Sequence, residues 1–426
     1  MVFKFQPSAW GAKIAGPSAI VDLMEDLGQA LNNNPDLLFL GGGNPAQIPA
    51  VQALLQKHWQ EIGADNKAVQ KLCGVYQSPQ GDERLLAQLV TLFNQQGLAI
   101  SQNHLAIISG SQTALFLLFN LLAGRDASGN LRKILLPMVP EYLGYADQSL
   151  APECFISCLP TLKYTAPNRF CYELDFAALE QITETLGALC LSSPTNPSGN
   201  LISLDELQQL NSWAKTRNLP LIIDRAYGSP FPALEYPPQA LFYDDNTIQI
   251  WSLSKLGLPG LRTAIVLASP QLIHLLVKAN TILNLANGNA GPALMERLIS
   301  SGDLQHITHN ILPHYYRPQR DRLVQLLDDA LTGINYFICE PKGAFFIWLW
   351  LPDLPISSRE LYEQLKNQGL LVMAGERFFY EWQNTWPHAR QCLRLTYCQS
   401  EAVLAQAVSV LAAQVRRVCI FPRAPI

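Results

Sequence analysis

Short apolar runs alternate with helical stretches between about residues 104 and 269, and this alternation restricts the possible folds more than any other feature. The runs are rich in Ile, Val and Leu. Strands that are apolar on both faces and separated by helices are typical of a mostly parallel sheet covered on both sides. We expect strands at 104–110, 132–137, 153–160, 187–194, 219–227, 246–254 and 262–269, and helices at 111–123, 175–186 and 203–218.

The last two of these strands are joined by a tight turn within IWSLSKLGLPGLRTAIVL, residues 250–267. Parallel neighbours need a long crossover connection, and this turn is too short for one. The strand at 262–269 is therefore expected to be antiparallel. The predicted fold is α/β, with a mostly parallel seven-stranded sheet that contains one antiparallel strand and lies between helices.

The sequence pattern changes after about residue 300. A long helix is expected at 316–332, followed by a strand in GAFFIWLWLP, a helix at 358–368, a strand in QCLRLTYC and an amphipathic helix at 400–416. This order is typical of a separate α+β unit. We predict a large domain over 51–310 and a smaller domain built from 1–50 and 311–426.

Composition and charge exclude several classes of function. Hydrophobic residues make up 49% of the chain and the net charge is −4, which favours a large core and disfavours nucleic-acid binding. Nine scattered cysteines form no C-x-x-C motif, so we predict neither a disulfide framework nor a metal site. No apolar run reaches the roughly 18 residues of a membrane span. Because MVFKFQPSAWG also lacks the features of a secretory signal, we expect a cytoplasmic protein without membrane or nucleic-acid partners.

Candidate ligand-binding residues follow or open the predicted strands. Ligands of open parallel sheets bind beyond the carboxyl ends of the strands, so residues at these positions are expected to meet at one edge. The candidates are Gly110, Ser111, Gln112, Tyr142, Asn196, Asp224, Tyr227, Ser252, Ser254, Lys255 and Arg262.

Lys255 and Asp224 are the candidates with the most specific chemistry. A lysine amine in a semi-buried site forms a Schiff base with an aldehyde when it is partly deprotonated. Pyridoxal phosphate offers such an aldehyde, and its pyridine nitrogen acts as an electron sink only when a carboxylate holds it protonated. Lys255 is the expected Schiff-base residue, and Asp224 is the expected partner of the ring nitrogen.

The other candidates match the remaining groups of the same cofactor. A phosphate binds to free amides at a helix N-terminus, to hydroxyls and to arginine. The Gly110–Gln112 segment, the two serines before Lys255, and Arg262 offer these groups. Asn196 and Tyr227 are candidate donors to the ring oxygen, although Asn196 also suits a simple turn. Tyr142 is preferred over Tyr145 for stacking on the ring.

These motifs together resemble the fold-type I pyridoxal-phosphate aminotransferases of the aspartate aminotransferase superfamily. GSQTALF, PTNPSGN, IIDRAYG, SLSKLGLPGLR and CLRLTYC occur in the family's order, with 28 positions from Asn196 to Asp224, 31 to Lys255 and 7 to Arg262. GGGNPAQIP, YQSPQG, PEYLGYAD and WPHARQCLRL are similar to the valine–pyruvate aminotransferase subgroup. Arg225 departs from the neutral residue expected after the aspartate, and its side chain is expected to point away from Asp224.

The resemblance implies roles that the residues alone do not. Lys255 would move a proton between substrate and cofactor, with Asp224 and Tyr227 assisting, in a ping-pong reaction through pyridoxamine phosphate. Arg394 would bind the substrate carboxylate, helped by Asn196 and the Gly43 amide. Tyr76 would reach the phosphate of a neighbouring subunit, which implies a homodimer with shared sites. The implied substrates are L-valine and pyruvate, with 2-oxoisovalerate and L-alanine as products.

Three alternatives remain open at this point. The same fold and cofactor serve broad-range, aromatic or methionine aminotransferases, and they also serve β-elimination. Apolar pockets separate substrates that differ by one methylene by only about 1–3 kcal/mol, so the preferred donor and direction are not readable from the sequence. A cofactor-binding regulatory domain is a more remote alternative, because residues 1–50 are short and not strongly basic.

Overall fold

The computed structural model describes residues 6–33 and 37–420, and its strands fall into three groups. The strands are β1 Leu38–Phe39, β2 Leu105–Ile108, β3 Gly124–Arg125, β4 Leu131–Leu136, β5 Phe155–Ser157, β6 Thr161–Ala166, β7 Arg169–Glu173, β8 Leu186–Ser192, β9 Leu221–Asp224, β10 Thr247–Ser252, β11 Ala264–Leu267, β12 Phe337–Cys339, β13 Phe346–Trp350, β14 Leu370–Leu371, β15 Met373–Ala374 and β16 Cys392–Thr396.

The helices surround these strands. They are α1 Ala9–Ile14, α2 Ala19–Asn33, α3 Pro49–Ala64, α4 Asn66–Gly74, α5 Glu83–Gln95, α6 Ser111–Leu122, α7 Phe176–Glu180, α8 Leu204–Lys215, α9 Pro270–Asn284, α10 Ala290–Ser301, α11 Asp303–Gln305, α12 Leu312–Ala330, α13 Ser358–Lys366 and α14 Glu401–Ile420. A capping box precedes α8, where Ser203 and Glu206 exchange hydrogen bonds between side chain and backbone.

The first sheet contains the seven predicted strands. Their order is β2-β11-β10-β9-β8-β4-β5, and β11 is antiparallel to both of its neighbours while the other strands run parallel. A two-residue strand, β3, adds an antiparallel partner to β4. Strands β2, β8, β9, β10 and β11 are almost wholly buried, as expected for a sheet with helices on both faces.

The second sheet has the order β15-β16-β13-β12-β7-β6. Its last two strands form a hairpin, Thr161–Glu173, which comes from the middle of the first sheet's sequence and was not expected as a separate element. Strand β1 pairs with β14, so the chain near Leu38 joins the C-terminal unit. The domain limits 51–310 and 311–426 stay a prediction. The hydrogen bonds of this hairpin join it to the second sheet, although its sequence lies within 51–310.

Several expected helices differ in extent from the observed ones. The helix expected at 175–186 ends at Glu180, because β8 begins at Leu186 and pairs with β4 there. The helix expected at 316–332 begins earlier, at Leu312, and continues from a π-helical turn over His306–Ile311. Local periodicity predicts that a helix is present, but it does not fix the residues at which the helix begins and ends.

Helix α14 is the one helix of the described chain that is long and apolar enough to cross a membrane by length and composition. The core helices of soluble proteins can meet the same criterion of length and composition. Here Leu404, Leu411 and Val415 are fully or almost fully buried, and α14 packs against α12 and α13. The helix thus belongs to the hydrophobic core that also contains residues of α12 and α13.

Candidate active site

Ten of the predicted site residues line one cavity of about 160 Å³ at the carboxyl edge of the first sheet. They are Ser111, Gln112, Tyr142, Asn196, Asp224, Tyr227, Ser252, Ser254, Lys255 and Arg262. The loops after β4, β8, β9 and β10 and the start of α6 supply them. Gly110, Gly43 and Arg394 contact these residues from outside the cavity wall, and Tyr76 lies apart from them.

Lys255 follows β10 in a short 3-10 helix, Leu253–Leu256, which ends at Gly257 in the left-handed conformation. Its Nζ donates a hydrogen bond of 2.7 Å to the Gly43 carbonyl oxygen. Burial lowers the pKa of Lys255 to about 8, and the positive charge of Arg394 acts in the same direction. A large fraction of the amine is therefore neutral near pH 8 and able to act as a nucleophile or base.

Asp224 ends β9 with a buried carboxyl group. It accepts hydrogen bonds from the Tyr145 hydroxyl at 2.9 Å and from the Ala226 amide at 3.0 Å. Burial raises the pKa of Asp224, while both hydrogen bonds favour its ionised form. Tyr145, the less favoured of the two tyrosines for stacking, thus contacts this carboxyl group directly.

The start of α6 forms a concave, positively charged wall with Arg262. Gly110, with φ of 94°, precedes the helix, and a Cβ there would lie 2.6 Å from Arg262 Nη2. Arg262 itself has a left-handed φ of 43°. The hydroxyls of Ser252 and Ser254 lie 2.9 Å apart on the same wall. Free helix amides, two hydroxyls and a guanidinium are a suitable donor set for a phosphate.

Arg394 lies on β16 of the second sheet, opposite Trp348 in register, and reaches the first sheet's edge. Its Nη1 donates to Asn196 Oδ1 at 2.7 Å and its Nη2 to the Gly41 carbonyl oxygen at 2.8 Å. Burial lowers the pKa of Arg394 to about 10, so the guanidinium stays charged at neutral pH. Within residues 6–33 and 37–420 it forms no ion pair with a carboxylate.

Unpaired buried atoms around the cavity fit a polar ligand. Tyr227 Oη and Arg394 Nε are buried and have no hydrogen-bond partner in the described chain. Buried polar groups are nearly always paired in folded proteins, so such atoms suggest that a ligand completes the site. Pyridoxal phosphate fits: a lysine amine, a buried carboxyl group, an anion-binding wall and an aromatic ring all border the same space.

The remaining predicted residues have distinct surroundings. Arg225 turns to Gln249 and Glu235, neither of which lines the cavity. Tyr76 is 81% exposed and does not line the cavity.

Glu141 and Ser192 belong to the site and were missed. Ser192 lines the cavity, and the buried Glu141 carboxyl group binds it. A charged residue inside the apolar run LLPMVPEYLGY is the signal that could have identified Glu141.

Residues 39–411 match the family described as aminotransferase class I and II. The chain belongs to this family. It is 38% identical to the valine–pyruvate aminotransferase of Escherichia coli K12, over 96% of this chain and 98% of that protein. It is a pyridoxal-phosphate-dependent aminotransferase, which confirms the predicted enzyme class and cofactor.

Solved structures of relatives have the same fold. A protein from Psychrobacter arcticum 273-4 superimposes with a TM-score of 0.94 at 36% identity, covering 99% of this chain and 100% of that one. The valine–pyruvate aminotransferase of Salmonella typhimurium LT2 gives a TM-score of 0.85 at 38% identity, covering 94% and 99%. The predicted fold-type I architecture is confirmed.

Proposed function

We propose that this aminotransferase transfers the amino group of L-valine to pyruvate, giving 2-oxoisovalerate and L-alanine. The observation that supports it best is the buried guanidinium of Arg394, which pairs with no carboxylate of the described residues and packs against aromatic rings. Its guanidinium carbon lies 4.2 Å from the ring centroid of Phe346 and 5.4 Å from that of Phe378. Such a site suits one carboxylate next to an apolar side chain. The Escherichia coli and Salmonella relatives carry the same activity in their names.

The chain's own residues have the following proposed roles. Arg394 binds the substrate carboxylate through two parallel N–H donors, and Asn196 Oδ1 holds the guanidinium in place. The Gly43 carbonyl oxygen holds the Lys255 amine beside the cavity, and Gly43 is the proposed second contact of that carboxylate through its amide. The neutral Lys255 amine accepts a proton from the substrate Cα and later returns one.

Pyridoxal phosphate, when bound, supplies an aldehyde that condenses with amines and a protonated ring that withdraws electrons. Asp224 would hold the ring proton, and Tyr145 orients Asp224. Tyr227 and Asn196 would donate toward the ring oxygen, and Tyr142 would stack on the ring. The phosphate would be held by Gly110, Ser111, Gln112, Ser252, Ser254 and Arg262. The two half-reactions share this one site, so ping-pong kinetics are expected.

We further propose a homodimer in which Tyr76 completes the partner's phosphate site. Tyr76 and Val75 are exposed, and Asn289 binds the Val75 carbonyl oxygen at 2.9 Å, which places this segment beside the loop after α9. Ile282 and Leu285 near that loop are 91% and 58% exposed. Exposed apolar residues on neighbouring segments are typical of an interface. Removal of the Tyr76 hydroxyl in Tyr76→Phe should weaken cofactor retention and leave the sedimentation of the dimer unchanged.

A cytoplasmic location is also proposed. All nine cysteines are free, and free thiols are retained in a reducing compartment.

The test of the proposed reaction follows alanine formation from pyruvate with a panel of amino acids. Valine should be the fastest donor, with aspartate and phenylalanine much slower. The cavity is small, about 160 Å³, and its two lining cations, Lys255 and Arg262, have the proton-transfer and phosphate roles given above rather than a side-chain carboxylate to bind. Preference for an aromatic donor would contradict the valine assignment and leave the enzyme class intact. A Lys255→Ala variant is the control, since it should bind pyridoxal phosphate without turnover.

A further inference from the structure

Glu141 is a buried acidic residue beside the cavity to which neither the motifs nor the proposed mechanism gives a role. It lies in the loop after β4, directly before Tyr142, and it is 1% exposed. A carboxyl group is rarely buried unless it is fully hydrogen-bonded, because burial disfavours its charged form.

Three donors from two segments converge on this carboxyl group. Oε1 accepts from the Ser192 amide at 2.8 Å, and Oε2 accepts from the Ser192 hydroxyl at 2.6 Å. Oε2 also accepts from the amide of Tyr142 at 3.2 Å. Glu141 therefore ties the loop that carries Tyr142 to the end of β8.

These contacts join Glu141 to three parts of the site. Ser192 pairs in register with Asp224 on the neighbouring strand β9. The Glu141 amide donates to the Phe378 carbonyl oxygen at 2.9 Å, and the Phe378 ring faces the Arg394 guanidinium. Glu141 thus contacts three segments of the site. They carry Tyr142, the end of β8 beside Asp224, and Phe378 next to Arg394.

We propose that Glu141 is a positioning residue of the aminotransfer reaction, which holds Tyr142 and the end of β8 against the cavity and fixes the surroundings of Asp224. It touches none of the reacting atoms and acts through Ser192 and Tyr142. The inference deepens the proposed function and rests on the placement of the cofactor given there.

The charge of Glu141 adds a second effect. Burial raises its pKa to about 8, and the negative charge of Asp224 acts in the same direction. Tyr145 and Cys190 are the other titratable groups that face it, and burial keeps both of them protonated. Above about pH 8, ionised Glu141 therefore places a second negative charge beside Asp224 and raises the proton affinity of the groups around the cofactor.

The chain contains a matched control for this residue. Glu235 is equally buried, and it accepts hydrogen bonds from the amide and hydroxyl of Ser229 at 3.2 and 2.8 Å, as Glu141 does from Ser192. Glu235 does not line the cavity. Glu235 also lies 3.9 Å from Arg225, so the comparison is made on cofactor properties and not on stability. A purely structural role would leave the cofactor's absorption and retention unchanged in both Glu141→Gln and Glu235→Gln.

The experiment compares the two variants as holoenzymes, each with bound pyridoxal phosphate. In Glu141→Gln we expect kcat to fall about 10- to 100-fold, since misplaced reacting groups lower the rate steeply, while KM changes little. The pH midpoint of the bound cofactor's absorption band should shift downward, and the cofactor should be lost faster on dialysis. In Glu235→Gln the midpoint and the cofactor retention should match the wild type, even where thermal stability falls.

Ser192→Ala provides a second test if Glu141→Gln does not fold. It removes one of the three hydrogen bonds and should produce the same downward shift in smaller size. An unchanged midpoint and kcat in Glu141→Gln, or an equal shift in Glu235→Gln, would overturn the inference. Lys255→Ala separates this failure from that of the proposed site, because only an error in the site would leave the wild-type absorption band in that variant.

Discussion

Two buried arginines occupy different regions of this molecule and are stabilised in different ways. Arg225, behind the first sheet's edge, has its Nη1 3.9 Å from Glu235 Oε1 and donates from Nε to Gln249 Oε1 at 2.6 Å. Arg394, at the cavity, donates hydrogen bonds to neutral oxygens of Asn196 and Gly41. The first charge has an internal counter-charge, and the second has none within the described residues. A buried cation without a counter-ion is costly to the fold, so its presence indicates an anionic ligand.

The largest expected effect is on activity at Arg394. Arg394→Met should lower kcat/KM for valine by about 100-fold or more, because the substrate carboxylate loses its charged partner. The unfolding free energy of the protein without cofactor should stay equal or rise, since an uncompensated buried charge is removed. Steady-state kinetics and urea unfolding measure the two quantities. A large loss of stability would place Arg394 with Arg225 as a structural residue.

Arg225→Met should show the opposite pattern. Removing one member of a buried pair leaves Glu235 uncompensated, which costs about 3–5 kcal/mol of stability. The double variant Arg225→Met with Glu235→Gln should recover part of that loss, and this recovery can be measured by urea unfolding. The kcat of the remaining folded enzyme should stay near the wild-type value. A stable Arg225→Met protein would show that the pair contributes little.

The effect of Lys255 on stability should depend on pH. Its pKa is lowered to about 8 from 10.5, so between these values the unfolded state binds more protons and stability rises with pH. The protein without cofactor should therefore gain stability between about pH 8 and 10.5. Lys255→Met should be more stable than wild type below pH 8, and the difference should shrink above it. A constant difference from pH 7 to 10 would contradict the lowered pKa.

The smallest expected effect compares two glycines. Gly110 and Gly302 have φ of 94° and 78°, and a Cβ at Gly302 would meet nothing within 4 Å. Alanine at either position should cost about 1–2 kcal/mol of stability, because a left-handed φ disfavours a side chain. Only Gly110→Ala should also weaken retention of pyridoxal phosphate, since its Cβ would displace Arg262. Equal retention in both variants would show that the wall beside α6 tolerates such a shift.

The sequence by itself determined the first sheet and most of its active edge. Buried strands are marked by composition, and residues that follow them must lie at one edge once the strands are parallel. Ten residues predicted from their positions at strand ends consequently line one cavity.

Only the tertiary structure decided the contacts that join distant segments. Arg394 meets Asn196 across 198 positions, and Lys255 meets Gly43 across 212. The hairpin Thr161–Glu173 joins the second sheet, and Glu141 and Tyr145 support Ser192 and Asp224. Local patterns identify a strand or helix, but its partner is selected by burial and hydrogen bonding between segments far apart in the chain. The sequence therefore identified most residues of the site, and long-range packing decided which of them support one another.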